Sequence, residues 1–300
     1  MKIATLIISS NTYPALRNSR VQKKLFFEQN FDQKLTFWYK AGRKGELSNK
    51  QFNLINNDLL IDTDDGSTNM GKKTVLALEW LENNVDYDFV VRPTPSSYIH
   101  YENLSKFIKN NLIHEPYVYS GKIQSTNDND GNKIDFVSGS TLILNKNTVQ
   151  KIIKNQHLWD HTYWDDVALY LLLKEINIIP QPSNRFDVKG NALLENIPKN
   201  FYQYRCRADN HYNYPRFLET TNMSLVHKIT NDKKIRFFEK NILKIYFYLS
   251  KLFYIYQFGW KLFLVIKKVT RFILPNFLYK YFKEKFRQPI EKFKHIRFKV

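Results

Sequence analysis

The chain is poor in the residues that mark several common classes of protein. Its 300 residues include one cysteine, Cys206, so no disulfide framework can form within it, and a lone thiol suits a reducing compartment. Its nine glycines are scattered and nowhere gather into a Gly-rich phosphate loop. No run has the pattern of an RNP motif, a helix-turn-helix or a zinc finger, and no internal repeat is visible. Long apolar runs are lacking too. The N-terminal M-K-I-A-T-L-I-I-S-S turns polar at Ser9, Ser10 and Asn11, which predicts a buried strand rather than a signal peptide. Toward the C terminus the longest uncharged run, residues 252–260, has nine residues, half or less of what a membrane span requires.

Acidic residues are also scarce. Lysine and arginine number 46 against 28 aspartate and glutamate, a formal charge of +18 that would suit a nucleic-acid binder until it is located. Residues 231–300 hold 18 basic and 4 acidic side chains, a net +14, which leaves +4 for residues 1–230. The excess belongs to a tail. That tail also carries 19 of the 47 aromatic residues, too many for a merely solvated basic arm. Its apolar stretch 242–268 is interrupted by Lys244, Lys251 and Lys261, and Pro275 separates it from a second basic, aromatic segment. The pattern predicts C-terminal amphipathic helices lying on an anionic membrane surface, with lysine stems snorkelling and Trp260 at headgroup level. Packing of these helices on the preceding domain, or on a second subunit, is the competing expectation.

With 43% hydrophobic and 16% aromatic residues, the chain has material for one large α/β domain plus an appendage. Strand-like runs at 3–9, 35–40, 59–62 and 89–91 alternate with helix-like runs at 16–30 and 72–83, the rhythm of a doubly wound sheet. The turn-rich T-N-D-N-D-G-N predicts a hairpin between strands at 117–123 and 134–137. Helices are expected at 148–156 and 167–175, the second stopped by Pro180 and Pro182. Strand ends line the ligand crevice of such sheets, so residues 9–13, 62–65 and 92–97 are the first candidates for chemistry.

Four segments then stand out in order: D-G-S-T-N-M-G-K-K-T from Asp65, Y-D-F-V-V-R-P-T-P-S-S-Y with Arg92, F-V-S-G-S-T-L-I-L around Gly139, and W-D-D-V-A-L-Y from Trp164. An acidic strand end before a helix start brings backbone N–H groups and a lysine toward an anionic ligand, and it equally caps a surface helix. Two adjacent carboxylates before an apolar helix suit a general base, a cap, or one of each. As an ordered set the segments resemble the beta-1,3-galactosyltransferase/fringe group of glycosyltransferases. D-x-x-x-N-M-x-x-K-T matches that family's pattern at Asp65, Asn69, Met70, Lys73 and Thr74, with Trp80 in the same helix. The 16–30 helix resembles the family's arginine-bearing first helix through Arg17 and Arg20.

The resemblance implies an α/β fold of the GT-A, Rossmann-like type, a mixed sheet flanked by helices. It further implies a hexosyltransferase that moves a sugar from a nucleotide-sugar, such as a UDP-sugar, to a glycan or glycolipid acceptor with inversion. Asp65, Asn69, Lys73, Arg17 and Arg20 would stand on the donor side. Ser138, Gly139 and Ser140 would meet the acceptor, with Trp164 offering an aromatic face. Either Asp165 or Asp166 would take the acceptor hydroxyl proton.

At one place the sequence departs from that family. Where three acids follow an apolar strand and a basic residue in the family, this chain has Arg92 followed by Pro93, Thr94, Pro95, Ser96 and Ser97. Hydroxyls are poor anchors for Mg²⁺ or Mn²⁺ without a carboxylate, yet a diphosphate leaving group needs a counter-charge. Two expectations stay open. In the first there is no metal cofactor, and Arg92, Lys73, Arg205 and Arg207 supply positive charge beside the hydroxyls of Thr94, Ser96 and Ser97. In the second, Asp62 and Asp64 of L-L-I-D-T-D-D, with the late His227, hold Mn²⁺ or Mg²⁺. Residues 1–230 are thus expected to be a glycosyltransferase domain and residues 231–300 its anchor on the cytoplasmic face of a membrane, with no nucleic-acid partner. The competing functions are an inactive glycosyltransferase-like sugar-binding or scaffold protein, and an anionic-surface binding protein.

Overall fold

The computed structural model describes residues 1–233, apart from 32–33, 44, 48–49, 67–68, 128–130, 189–196, 208–215 and 217. The chain divides into two units, Met1–Lys240 and Asn241–Val300. The second unit, and with it the expected helical tail, lies outside the described residues.

The strands are β1 (Ile3–Ile8), β2 (Lys34–Ala41), β3 (Phe52–Ile55), β4 (Asp58–Ile61), β5 (Phe89–Pro93), β6 (Ser97–Ile99), β7 (Tyr119–Asn127), β8 (Lys133–Asn145), β9 (Gln181–Pro182), β10 (Phe186–Asp187) and β11 (Gln203–Arg205). The helices are α1 (Ala15–Phe27), α2 (Met70–Asn84), α3 (Tyr101–Asn111), α4 (Lys146–Lys154), α5 (Asp165–Glu175) and α6 (Leu218–Thr230). All six residues of β1 are buried, as a nearly continuous apolar run requires of a strand covered on both faces. It lies inside an eight-stranded sheet of order β3-β4-β2-β1-β5-β8-β7-β9; a second sheet runs β10-β11-β6. The strands β4, β2, β1 and β5 are mutually parallel, whereas β3 and β8 run antiparallel to their neighbours. The expected mixed α/β sheet flanked by helices is therefore present. Since β2 leaves β1 on one side and β5 on the other, the carboxyl ends of β1 and β5 open a crevice at the switch point.

Strand alternation sorts the side chains into two layers. Ala4, Leu6 and Ile8 join Phe37, Tyr39 and Leu59 in one core with Leu78 of α2, Ile152 of α4 and Leu169 of α5. Thr5 points the other way and accepts from the Tyr101 hydroxyl of α3 at 3.0 Å. On that same side Trp38 Nε1 donates to Gln22 of α1 at 3.2 Å. Helix α6 covers α1, with Asn18 donating to the buried Glu219 at 2.5 Å. Among the described residues no helix is long and apolar enough to cross a membrane.

Seven elements go beyond the expected pattern: β3, β6, α3, β9, β10, β11 and α6. The edge strand β3, F-N-L-I, is half exposed, and β6 has only three residues, so neither carries a usable hydrophobic period. Helix α3 begins at His100, whose ring accepts from the Asn103 N–H at 3.3 Å, a cap outside the usual Ser, Thr, Asp and Asn set. The hairpin is present but longer than expected, and its turn at 128–130 lies outside the described residues.

Within that hairpin, β7 and β8 pair in two registers. Gly121 faces Leu142, but Ile123 faces Val137, so residues 138–141 of β8 stand opposite residue 122 alone. About three extra residues swell out of the ladder there, which frees their backbone groups for other partners. Gly121 makes room for this bulge: a Cβ on it would lie 2.3 Å from Val137 Cγ1 and 2.6 Å from the Thr141 carbonyl oxygen. Gly121→Ala is expected to destabilise the protein by about 1–3 kcal/mol in urea unfolding. An unchanged midpoint would mean that the bulge relaxes without cost.

Candidate active site

Arg92, at the carboxyl end of β5, is 3% exposed. A buried guanidinium is tolerable only where its charge is paired and its fork of donors satisfied. Four elements provide the partners. Nε donates to the Tyr39 hydroxyl of β2 at 3.0 Å, Nη1 to the Gly139 carbonyl in the bulge at 2.8 Å, and Nη2 to Thr74 Oγ1 of α2 at 3.4 Å and to Asp165 Oδ2 in the first turn of α5. Thr74 is fixed in turn by the Met70 carbonyl at 2.9 Å and by Tyr39 at 3.0 Å. Burial works against the Arg92 charge, but Asp165, with Tyr39 and Asp166, more than offsets it and holds the pKa above its ordinary value. Burial likewise pushes the Tyr39 hydroxyl up, so it remains protonated.

Asp166 completes the cluster. Its Oδ2 accepts from the Gly139 N–H at 2.9 Å and its Oδ1 from the Val167 N–H at 3.1 Å. Burial, and then the neighbouring Asp165 charge, raise its pKa; the Gly139 N–H and Arg92 pull the other way. Both closures need a residue without a side chain, because a Cβ on Gly139 would sit 2.9 Å from Arg92 Nη1 and 3.1 Å from Asp166 Oδ2. The space a Cβ would take at this glycine is thus filled by Arg92 and Asp166. Trp164, just before the pair, is 66% exposed.

Next to Thr74 on α2, the buried Lys73 donates to Asp65 Oδ1 at 2.7 Å, and Asp65 Oδ2 accepts from the Asn11 N–H at 3.1 Å. The Asp65 side chain therefore ties the end of β1 to α2. Asn69 occupies the N-cap position of α2 without a capping bond from its side chain. Trp159 packs on the next turn, its Nε1 only 2.5 Å from where a Gly71 Cβ would stand, and His161 stacks on Trp159. Arg17 and Arg20 are exposed, whereas the buried face of α1 carries Asn18, Ser19 and Gln22.

Residues 94–97 form a turn between β5 and β6. The Ser97 N–H donates to the Thr94 carbonyl at 3.0 Å, and the Thr94 hydroxyl lies 3.3 Å from that of Ser96 and 3.1 Å from that of Ser97. Gln22 donates to the Thr94 and Ser97 carbonyls at 3.0 and 2.7 Å, and Ser97 Oγ donates to the Ser140 carbonyl at 2.9 Å. Arg205 is the partner of Ser97 in the β6–β11 register, and Arg207, two residues on, is exposed.

Asp62 and Asp64 are exposed at the end of β4. His227 is elsewhere in the bonding scheme: its ring is hydrogen-bonded to the Tyr98 hydroxyl at 2.9 Å and to Glu28 at 3.1 Å. Burial, then Lys233, lowers its pKa, which favours the neutral ring. Among the described residues no group of three or more His, Cys, Asp or Glu side chains is arranged to hold a metal ion.

Ser138 and Ser140 flank Gly139, and both hydroxyls accept from Nη1 of Arg185, at 3.1 and 2.5 Å. Sequence reasoning passes over Arg185. It stands in the short loop after the two prolines, and an R-x-D triplet in a loop gives no signal of burial.

No family model matches this chain, and none of the curated proteins does. It is similar in structure to a glycosyltransferase involved in the glycosylation of the major capsid of PBCV-1, at 11% identity and a TM-score of 0.47, over 74% of this chain and 100% of the other. The apo-form glycosyltransferase GlyE of Streptococcus pneumoniae TIGR4 is similar at 12% identity and a TM-score of 0.43, over 77% of this chain and 63% of its own. The galactosyltransferase LgtC, in complex with donor and acceptor sugar analogues, is similar at 11% identity and a TM-score of 0.41, over 78% and 97%. At these values the likeness is one of α/β architecture, and no residue role rests on it.

Arg92→Met leaves Asp165, whose side chain is 10% exposed, without its ion-pair partner. Urea unfolding is expected to show a loss of about 3–5 kcal/mol, partly recovered by adding Asp165→Asn. A loss below about 1 kcal/mol would remove Arg92 from the centre of the network.

Proposed function

We propose that the chain is an inverting glycosyltransferase that moves a sugar from a nucleotide-sugar, such as a UDP-sugar, to a glycan or lipid-linked acceptor. One observation carries this reading: Thr74, Arg92, Gly139 and the Asp165–Asp166 pair, each from a different one of the four ordered sequence segments, meet around a single guanidinium. They do so beside the switch point of a doubly wound sheet, where ligands of such sheets bind.

In this transfer the acceptor oxygen bonds to the anomeric carbon as the bond from that carbon to the diphosphate breaks. The diphosphate leaves with the electron pair, and a carboxylate takes the acceptor proton. Asp165 suits the base. Its Oδ2 is oriented by Arg92, whereas Oδ1 has no hydrogen-bond partner among the described residues. Both oxygens of Asp166 are engaged by backbone N–H groups, one of them at the start of α5, so Asp166 serves as cap and orienter. The exposed ring of Trp164 offers the acceptor sugar a stacking face. On the donor side stand Asp65, Asn69 and Lys73, with the exposed Arg17, Arg20 and Arg207, and Arg205 beside the hydroxyl turn of Thr94, Ser96 and Ser97. The last group takes the place of the acids and gives the diphosphate hydrogen bonds and positive charge without a metal.

The Arg92–Asp165 ion pair also favours a second reading, a sugar-binding protein without turnover, because it occupies part of the candidate base. The net +14 of residues 231–300 supports docking to the cytoplasmic face of a membrane, where lipid-linked acceptors are found.

Calorimetric titration of the full chain with UDP, GDP and CMP, with and without Mn²⁺, is expected to show one nucleotide binding without the metal. Strictly Mn²⁺-dependent binding would transfer the role to Asp62 and Asp64, and no binding at all would overturn the donor site. For Asp165→Asn the expected loss of turnover is at least about 100-fold at nearly constant donor affinity; full turnover would move the base to Asp166. The full chain should also sediment with phosphatidylglycerol vesicles at low salt and detach at high salt, and failure to sediment would refute the anchor.

A further inference from the structure

Arg185 links the two sheets. The loop that carries it leaves β9, whose Pro182 pairs with Gly121 beside the bulge, and the Ser183 N–H donates to the Gly121 carbonyl at 2.8 Å. Beyond it, β10 pairs with β11, with Asp187 opposite Arg205. Its position is therefore pinned at both ends. The side chain is 3% exposed, as buried as that of Arg92. Nε lies 2.9 Å from Asp187 Oδ1 as an ion pair, and Nη2 donates to Asp187 Oδ2 at 3.1 Å. Nη1 spends its donors on the Ser138 and Ser140 hydroxyls, which lie 3.1 Å apart.

The bulge is thus gripped from two directions. On one side Gly139 offers its N–H to Asp166 and its carbonyl to Arg92. On the other, the serines on either side of it are held by one guanidinium. Ser140 is tied once more, its carbonyl accepting from Ser97 Oγ and from the Thr94 N–H at 3.2 Å. A bulge that has left its ladder lacks the cross-strand bonds that normally fix backbone direction. Side-chain bonds must supply that constraint, and a charged, planar, buried donor is the stiffest available.

We infer that Arg185 is a positioning residue: by clamping Ser138 and Ser140 from the far side of the bulge, it sets the direction of the Gly139 N–H and carbonyl, and through them the placement of Asp166 and Arg92. This rests on reading Asp165 and Asp166 as the acidic pair of the site. Arg185 acts through the backbone and touches neither carboxylate among the bonds described above.

The test is a carbon-13 carboxyl NMR titration of Asp166 in the full chain, compared among wild type, Arg185→Met, Arg185→Lys and the double variant Ser138→Ala/Ser140→Ala. The groups that act on Asp166 are, with burial, Asp165, the Gly139 N–H, Arg92 and its own backbone N–H; the Val167 N–H bonds its Oδ1 and the Tyr119 hydroxyl also faces it. Losing the N–H bond stabilises the protonated form, so the midpoint should move up by about half to one pH unit in Arg185→Met and in the serine double variant, and by less in Arg185→Lys. The double variant keeps the Arg185–Asp187 pair, so it decides the matter if Arg185→Met does not fold. Midpoints within about 0.2 unit of wild type in folded variants would overturn the inference, because a merely structural role changes the melting temperature and leaves that titration in place. The titration needs neither donor nor acceptor. Absence of any glycosyl transfer by the wild-type chain would therefore defeat the functional reading alone, and an unmoved midpoint in an active enzyme would defeat this inference alone. In an active enzyme Arg185→Met should also lower kcat with little change in donor KM.

Discussion

The arrangement of the crevice depends on one buried guanidinium. Removing Arg92 from water is costly unless a charge and several acceptors come with it, and no single neighbouring element provides them all. A sheet strand supplies Tyr39, a helix Thr74, a bulge the Gly139 carbonyl and a second helix the Asp165 carboxylate. Each of these groups must be in place for the others to be tolerated, so the constraint runs through β2, β5, β8, α2 and α5 together. A low-dielectric network of this kind is rigid when satisfied and strongly destabilising when any member is lost. Rigidity there holds Asp165 and Asp166 in fixed, unequal surroundings, the one ion-paired and the other bonded to backbone.

The bulge in β8 is the structural means of bringing that network about. A regular ladder would have consumed the Gly139 N–H and carbonyl in pairing with β7. The register shift at Gly121 releases them, and both turn toward charged side chains. Two glycines are needed for steric reasons alone, Gly121 to let the bulge lie against its partner and Gly139 to let Arg92 and Asp166 close over it. Neither has a left-handed backbone; what matters at both is the missing Cβ.

The turn after Arg92 is held by a dense set of hydroxyl and amide bonds. Thr94, Ser96 and Ser97 carry hydroxyls that bond to one another, and Ser97 Oγ also donates to the Ser140 carbonyl, while Gln22 holds the Thr94 and Ser97 carbonyls. Arg205 is the register partner of Ser97, and Arg185, in the loop before β10, reaches the neighbouring strand β8 through the Ser138 and Ser140 hydroxyls. The first helix contributes through its buried polar face, Asn18, Ser19 and Gln22, rather than through its arginines, which remain in solvent.

Much of the architecture was legible in the sequence because hydrophobic period and turn chemistry are local properties. The run I-A-T-L-I-I read as a buried strand, and T-N-D-N-D-G-N between two apolar runs implied a hairpin. That Arg92 ends a strand and the two aspartates begin a helix followed from the same rhythm. Tertiary structure alone decided which of these groups touch. Charge pairing in a buried site depends on through-space distance, so nothing local distinguished Arg92, tied to Asp165, from the exposed Arg17 and Arg20, or from Arg185, hidden behind the bulge. Short elements such as β6 and β10 form only because partners far along the chain complete their hydrogen bonds. The sequence determined a doubly wound domain and the identities of its chemical groups. Their mutual orientation was set by burial, which makes every unpaired charge or N–H costly and so forces residues far apart in the chain into one shared network.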